Sequence, residues 1–293
     1  MIPPVRVLAA VDFSEASRSS LSFARRLARH CGAELHVMHA EDPLLAAAAR
    51  SRGMDLASEV RDELRAFAAA TSPSCNLRLR YHVVTGEAVD GILNVAHREN
   101  VDVIVLGAHG MSGAGRLVFG SVAEGVLRHA DLSVLVVPDA WTPPTPDTLD
   151  LSGIGPVVCG VDMTLPSIEA ATAGARLAVL LKTHTRLVHV VPELRVLERW
   201  QSHAEDATRN RVEQARRDLE HVVKIVERVA PAQLQVESGS VPERLAEVAH
   251  AYEYALLVLG RALRGPGSAP PGSNAYRALG LADVPVLMHV TRE

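Results

Sequence analysis

The stretch from Gly107 to Ser121 carries the spacing Gly107-x2-Gly110-x9-Gly120-Ser121, with Gly113 and Gly115 between. A glycine-rich loop that runs from a strand into a helix leaves bare backbone N–H groups at the helix N-terminus. That arrangement attracts an anion, above all a phosphate. The Ser121 hydroxyl adds a donor. Arg116 is the one cation inside the loop; it either reaches a terminal phosphate or stands solvated, and the spacing leaves both open. His109 sits in the same loop. Asp12 follows the first apolar run and either meets a ligand at the strand end or helps cap the next helix. Two neighbouring motifs fail. Gly115-x4-Gly120 begins like a P-loop, but Ser121-Val122 stands where the Lys-Ser/Thr ending is required. No Gly-x-Gly-x-x-Gly follows the first strand, which disfavours a dinucleotide site. His36 and His39 lie three apart on a strand and so face opposite sides. His97 and His129 lack companions, and no metal site is expected.

The elements that must hold the loop follow from apolar periodicity. Residues 5–11, 35–39, 77–84, 101–106 and 134–137 read as strands, the first and fourth as continuous apolar runs suited to a buried parallel sheet. Ser14 reads as an N-cap, with Leu21, Ala24, Leu27 and Ala28 at helical spacing and Gly32 as terminator. Pro43 opens one long helix over 44–70. Further helices are expected over 87–99 and 122–130. Alternating strands and helices require crossover connections, hence a mostly parallel sheet covered on both faces. Its ligand crevice lies beyond the strand C-terminal ends, where the strand order switches. Asp12 and the glycine loop border one crevice if the first and fourth strands are neighbours.

The chain has 293 residues, 48% hydrophobic, with net charge -4 and 3% aromatics. It is long enough for two domains with real cores. The charge gives no general attraction to nucleic acid or acidic lipid, and the scarcity of aromatics argues against base-stacking platforms. Cys31, Cys75 and Cys159 are far apart and odd in number, which fits free thiols in a reducing compartment. No signal-peptide pattern and no apolar run near the ~20 residues of a membrane span is found. The expected location is cytoplasmic.

The chain then repeats itself. Val157-Val158-Cys159-Gly160-Val161-Asp162 echoes Val7 to Asp12, and Leu187 to Val190 echoes Leu35 to Met38. Gly239 and Gly260 echo Gly86 and Gly107, and Gly272-Ser273 echoes Gly120-Ser121. Two domains are expected, 1–140 and 153–293, joined by a Pro-rich linker over 141–152. The second copy is degenerate. Leu263 replaces the second motif glycine, the spacing is one residue short, and Pro266, Pro270 and Pro271 remove backbone donors. Its site is expected to be weak or empty.

With Val-Asp-Phe-Ser after the first strand and a closing Val-Leu-Val-Val-Pro, the glycine spacing resembles the universal stress protein family. The resemblance covers nearly the whole chain as two tandem family domains. It implies an α/β fold of two tandem doubly wound, mostly parallel five-stranded sheets, Rossmann-like and similar to the adenine nucleotide alpha hydrolases. Family members with this motif bind ATP, with or without Mg2+. The resemblance places Ala10, Val11 and Asp12 on the adenine side with Ala40 beside them. It places Leu106, Gly107 and Gly110 along the ribose and phosphates, and Gly120, Ser121, Val122 and Ala123 around the phosphates. It implies a stress-response or signalling module, and domains paired through their last strands near Val134–Val137 and Val286–Val290, within one chain or in a homodimer. A protein partner is implied but not identified. Two other readings stay open on the residues: a slow ATPase or nucleotidyl-transfer enzyme, and a scaffold that binds no nucleotide.

Overall fold

The computed structural model describes residues 4–71, 77–109, 120–144, 151, 153–193, 201–262 and 273–291. The chain divides into two compact units, Pro3–Gly153 and Ile154–Glu293. In the first unit the order is β1 (Arg6–Ala10), α1 (Glu15–Cys31), β2 (Glu34–Glu41), α2 (Pro43–Ser51) and α3 (Leu56–Thr71). There follow β3 (Leu79–Thr85), α4 (Ala88–Arg98), β4 (Val103–Gly107), α5 (Ser121–His129) and β5 (Ser133–Val137). The strands lie in the order β3-β2-β1-β4-β5, each pair parallel. β1 and β4 are neighbours, with Val7 opposite Val103. The order reverses there, so their C-terminal ends frame the crevice this topology offers a ligand.

Local sequence accounts for these elements. Ser14 caps α1 by accepting from Ser17 N–H, and Gly32 ends it in the left-handed region at φ 66°. Leu21, Phe23, Ala24, Leu27 and Ala28 of α1 are buried, each large side chain contributing about 1.5–3 kcal/mol. Trp141, at the start of the Pro-rich stretch, packs edge-on against Phe23 with ring centroids 5.0 Å apart. The helix expected over 44–70 is instead two, α2 and α3. The chain turns at Gly53, which takes φ 71°, a conformation that costs a glycine little.

The second unit repeats the plan with β6 (Val157–Gly160), α6 (Leu165–Leu180), β7 (Thr185–Val191), α7 (Gln201–Glu227), β8 (Ala232–Ser238), α8 (Val241–His250), β9 (Leu256–Ala262), α9 (Ser273–Leu281) and β10 (Val286–Thr291). Its strand order is β8-β7-β6-β9-β10, again parallel. The register corrects one sequence match. Val7 pairs with Leu35 and Val157 with Thr185, so Leu35 corresponds to Thr185, not to Leu187. The residue corresponding to His39 is therefore His189.

Candidate functional site

The first unit builds its site from three chain segments. β1 is extended past Ala10 by the Val11 N–H, which donates to Met38 O at 3.0 Å. Phe13 then takes φ 65°, a left-handed conformation costing a side-chain-bearing residue about 1–2 kcal/mol. Its ring is held by His39, at a centroid distance of 4.7 Å, and edge-on by Phe67 at 5.5 Å. This turn aims Asp12 at the crevice. Asp12 Oδ1 accepts from the Ser14 N–H at 3.1 Å and from the Ser14 hydroxyl. The carboxylate therefore organises the entry into α1 and also lines the crevice.

The second segment is the end of β4. Ala108 N–H donates to Val137 O (2.9 Å), and Gly120 N–H donates back to Ala108 O (3.1 Å), pinching the neck of the glycine loop. His109 is fixed beside it. Asp139 accepts from the His109 backbone N–H at 3.3 Å and from its Nδ1 at 2.9 Å. Asp139 is itself fixed through its carbonyl, which accepts from the Ser19 hydroxyl at 2.7 Å. Gly107 has a steric duty: a Cβ there would stand 3.1 Å from Ala16 O, in the first turn of α1.

The third segment is the N-terminus of α5. Gly120 occupies the cap position and no side chain caps the helix. The first N–H groups of a helix have no internal partner, and the helix dipole adds positive potential at that end. Together these make the start of α5 an anion-receptive wall.

These segments, with the end of β2 and the start of α4, enclose a cavity of about 320 Å³. Ala10, Val11, Asp12 and Ala40 line one side. Leu106, Gly107, Gly120, Ser121, Val122 and Ala123 line the other. The remaining two expected residues, Gly110 and Arg116, lie outside the described residues. Among the lining residues that sequence reasoning did not assign to the site are Ser17, His39 and Ile92. His39 Nδ1 lies 2.8 Å from Val11 O. A carbonyl only accepts, so Nδ1 carries the proton and Nε2 is left as an acceptor. The signal for His39 was available at an offset of 150 residues, where Asp12 meets Asp162 and His39 meets His189.

The second unit repeats this frame. Val161 N–H donates to Val188 O at 2.9 Å, and His189 Nδ1 donates to Val161 O at 2.7 Å. Met163 takes φ 67°, and Asp162 accepts from the Thr164 N–H (3.1 Å) and hydroxyl (2.6 Å). Burial pushes the Asp162 carboxyl up, but hydrogen bonds from Thr164 and Ser167 outweigh it and hold the group below the usual carboxylate range. A cavity of about 270 Å³ follows, lined by Asp162, His189, Leu245, Gly260 and Asn274 among others. Leu263, Pro266, Pro270, Pro271 and Gly272, on which the expectation of a weak second site rests, lie outside the described residues. Ser273 is described and opens α9.

Neither free thiol among the described residues suits nucleophilic chemistry. Burial pushes Cys31 and Cys159 up to about 12, which withholds the thiolate at neutral pH. Cys75 lies outside the described residues. No helix among the described residues is long and apolar enough to cross a membrane.

The comparisons with known proteins agree with this duplicated plan. The model of the Universal stress protein family matches residues 5–138 and again 153–289. A universal stress protein encoded in the 3' region of the QAH/OAS sulfhydrylase of Thermus aquaticus is 29% identical over 138 residues, covering 45% of this chain and 96% of the relative. The universal stress protein YxiE of Bacillus subtilis is 27% identical over 144 residues, 45% of this chain and 97% of the relative. Each single relative thus matches about half of this chain. At full length, a universal stress protein from Archaeoglobus fulgidus superposes with a TM-score of 0.66 at 17% identity, covering 97% of this chain and 98% of its own, which shows the shared fold.

Proposed function

The chain belongs to the universal stress protein family, matched over both halves, and from that premise we propose that its first unit binds ATP. One observation carries the reading. The cavity at the β1/β4 switch point is walled on one side by the start of α5, which no side chain caps, and a polyanionic phosphate chain supplies what those N–H groups lack. The base belongs at the other wall, with Ala10, Val11, Asp12 and Ala40. Gly110 and Arg116 complete the phosphate side, and Mg2+ accompanies the nucleotide where it is present. The protein then acts as a cytoplasmic stress-response or signalling module. Nucleotide shifts its conformation or partner contacts to the extent that it prefers one state.

Binding is favoured over turnover by Asp12, whose Oδ1 is already occupied by Ser14; this does not describe a carboxylate poised as a general base. The test is a melting curve of the purified full chain with and without ATP. At a hundredfold excess over Kd, ligand linkage adds about 2.7 kcal/mol to the first unit. An unchanged melting temperature in millimolar ATP overturns the proposal.

A further inference from the structure

On the sheet face opposite His39, three groups converge that the proposed nucleotide site does not use. His36 comes from β2, His82 from β3, and Glu99 from the cap residue at the end of α4. One ligand atom of each lies within 4.8 Å of the others. The two imidazoles are nearly parallel, at 4°, with centroids 5.1 Å apart. His36 Nδ1 faces His82 Nε2 at 2.9 Å, a gap that holds one proton.

The surrounding charges fix where the protons stand. Arg98 Nη2 is 3.2 Å from His82 Nδ1. A guanidinium only donates, so the His82 proton is on Nε2 and His36 accepts it at Nδ1. The His36 proton is therefore on Nε2. That atom is buried and has no hydrogen-bond partner, and His36 is only 1% exposed. What it faces is the Glu34 carboxylate, 3.5 Å away. Arg80 holds Glu34 in turn through a 2.6 Å bond. A ring nitrogen held as an acceptor, whose other N–H is aimed at a carboxylate, is the arrangement that orients histidine toward a metal.

We propose that His36 Nδ1, His82 Nε2 and the Glu99 carboxylate bind a divalent transition metal of the zinc class, with water completing the coordination. Two imidazoles and one carboxylate are a donor set that such an ion accepts, and three protein ligands leave a fourth position for solvent. On a tetrahedral ion the ligand atoms stand roughly 3.3 Å apart. The site closes by a rotamer change of Glu99, which is 21% exposed. The His82 proton moves to Nδ1, and Arg98, 59% exposed, swings out. Arg98 is therefore the site's internal competitor: it donates to His82 and pairs with Glu99 at 3.0 Å. The bound ion ties the C-terminal end of α4 to β2 and β3. The other end of that helix, at Ala88 and Ile92, lines the cavity.

The test is titration of the nucleotide-free full chain with Zn2+ by calorimetry, and with Co2+ by visible absorption. The expected results are one ion bound through these ligands and a tetrahedral Co2+ spectrum. His82→Gln and Glu99→Gln should abolish both. Glu34→Gln should weaken binding about tenfold to a hundredfold, and Arg98→Gln should tighten it. Absence of binding at about 100 µM Zn2+, or binding that survives both His82→Gln and Glu99→Gln, overturns the proposal. Should His82→Gln fail to fold, the surface variants Glu99→Gln and Arg98→Gln decide it through their opposite signs.

Discussion

Two glycines that read alike in the sequence differ in how tightly they are held. A Cβ at Gly107 would meet Ala16 O at 3.1 Å, whereas one at Gly260 would meet Pro166 O at 2.4 Å and Ser167 N at 2.8 Å. The first contact is relieved by a small shift; the second runs into the rigid, proline-containing first turn of α6. Gly107→Ala should therefore cost about 1 kcal/mol and Gly260→Ala about 3 kcal/mol, read as urea midpoints of the full chain. His289 sets an acid limit at the same scale. Burial holds its imidazole at about 4, below the ordinary 6.5. The unfolded chain takes up that proton first, so the stability contributed by neutral His289 is whole above pH 6.5 and drains away as pH falls toward 4. Between pH 7 and pH 5 this group should remove about 2 kcal/mol. His289→Asn should flatten that part of the pH profile in equilibrium unfolding.

Among the elements, α5 gives the sharpest contrast between stability and binding. Its first turn lacks a side-chain cap and faces the cavity. A carboxylate placed there satisfies the helix but occupies the anion's place. Ser121→Asp should stabilise the nucleotide-free chain by about 0.3–1 kcal/mol and weaken ATP binding at least about tenfold by charge repulsion. Melting temperature and calorimetric Kd should thus move in opposite directions. The elements themselves were largely legible: Ser14 and Gly32 mark the ends of α1, and the apolar runs mark the strands. The break between α2 and α3 was not, because Ala and Arg before Gly53, and Ala, Arg and Glu after it, favour helix and only the turn itself interrupts them. Of the sixteen described residues that line the cavity, ten were named for it from the sequence: Asp12, Gly107, Gly120 and Ser121 by their motifs, the others through the family resemblance. His39 was hidden by a repeat aligned two residues out of register in β7. Asp139 and the His36–His82 pair were hidden because their partners lie 30 and 46 residues away. Such pairings exist only once sheet register is set.

Across the whole chain, duplication yields two similar frames with unequal loops. Residues 107–121 keep the Gly-x2-Gly-x9-Gly-Ser spacing; residues 260–273 replace a glycine with Leu263 and add Pro266, Pro270 and Pro271. Calorimetric titration of the full chain with ATP should give one strong site per chain, and two equivalent sites would refute that asymmetry. The contact at Gly260 has an evolutionary consequence. Its need for hydrogen in place of a side chain comes from the backbone of α6, and that pressure persists whether or not a ligand ever arrives. A duplicated copy drifting away from nucleotide binding is free to lose the loop but not this residue. The most recognisable letter of the motif is thus the last to be erased, and taken alone it records ancestry of the fold rather than present activity.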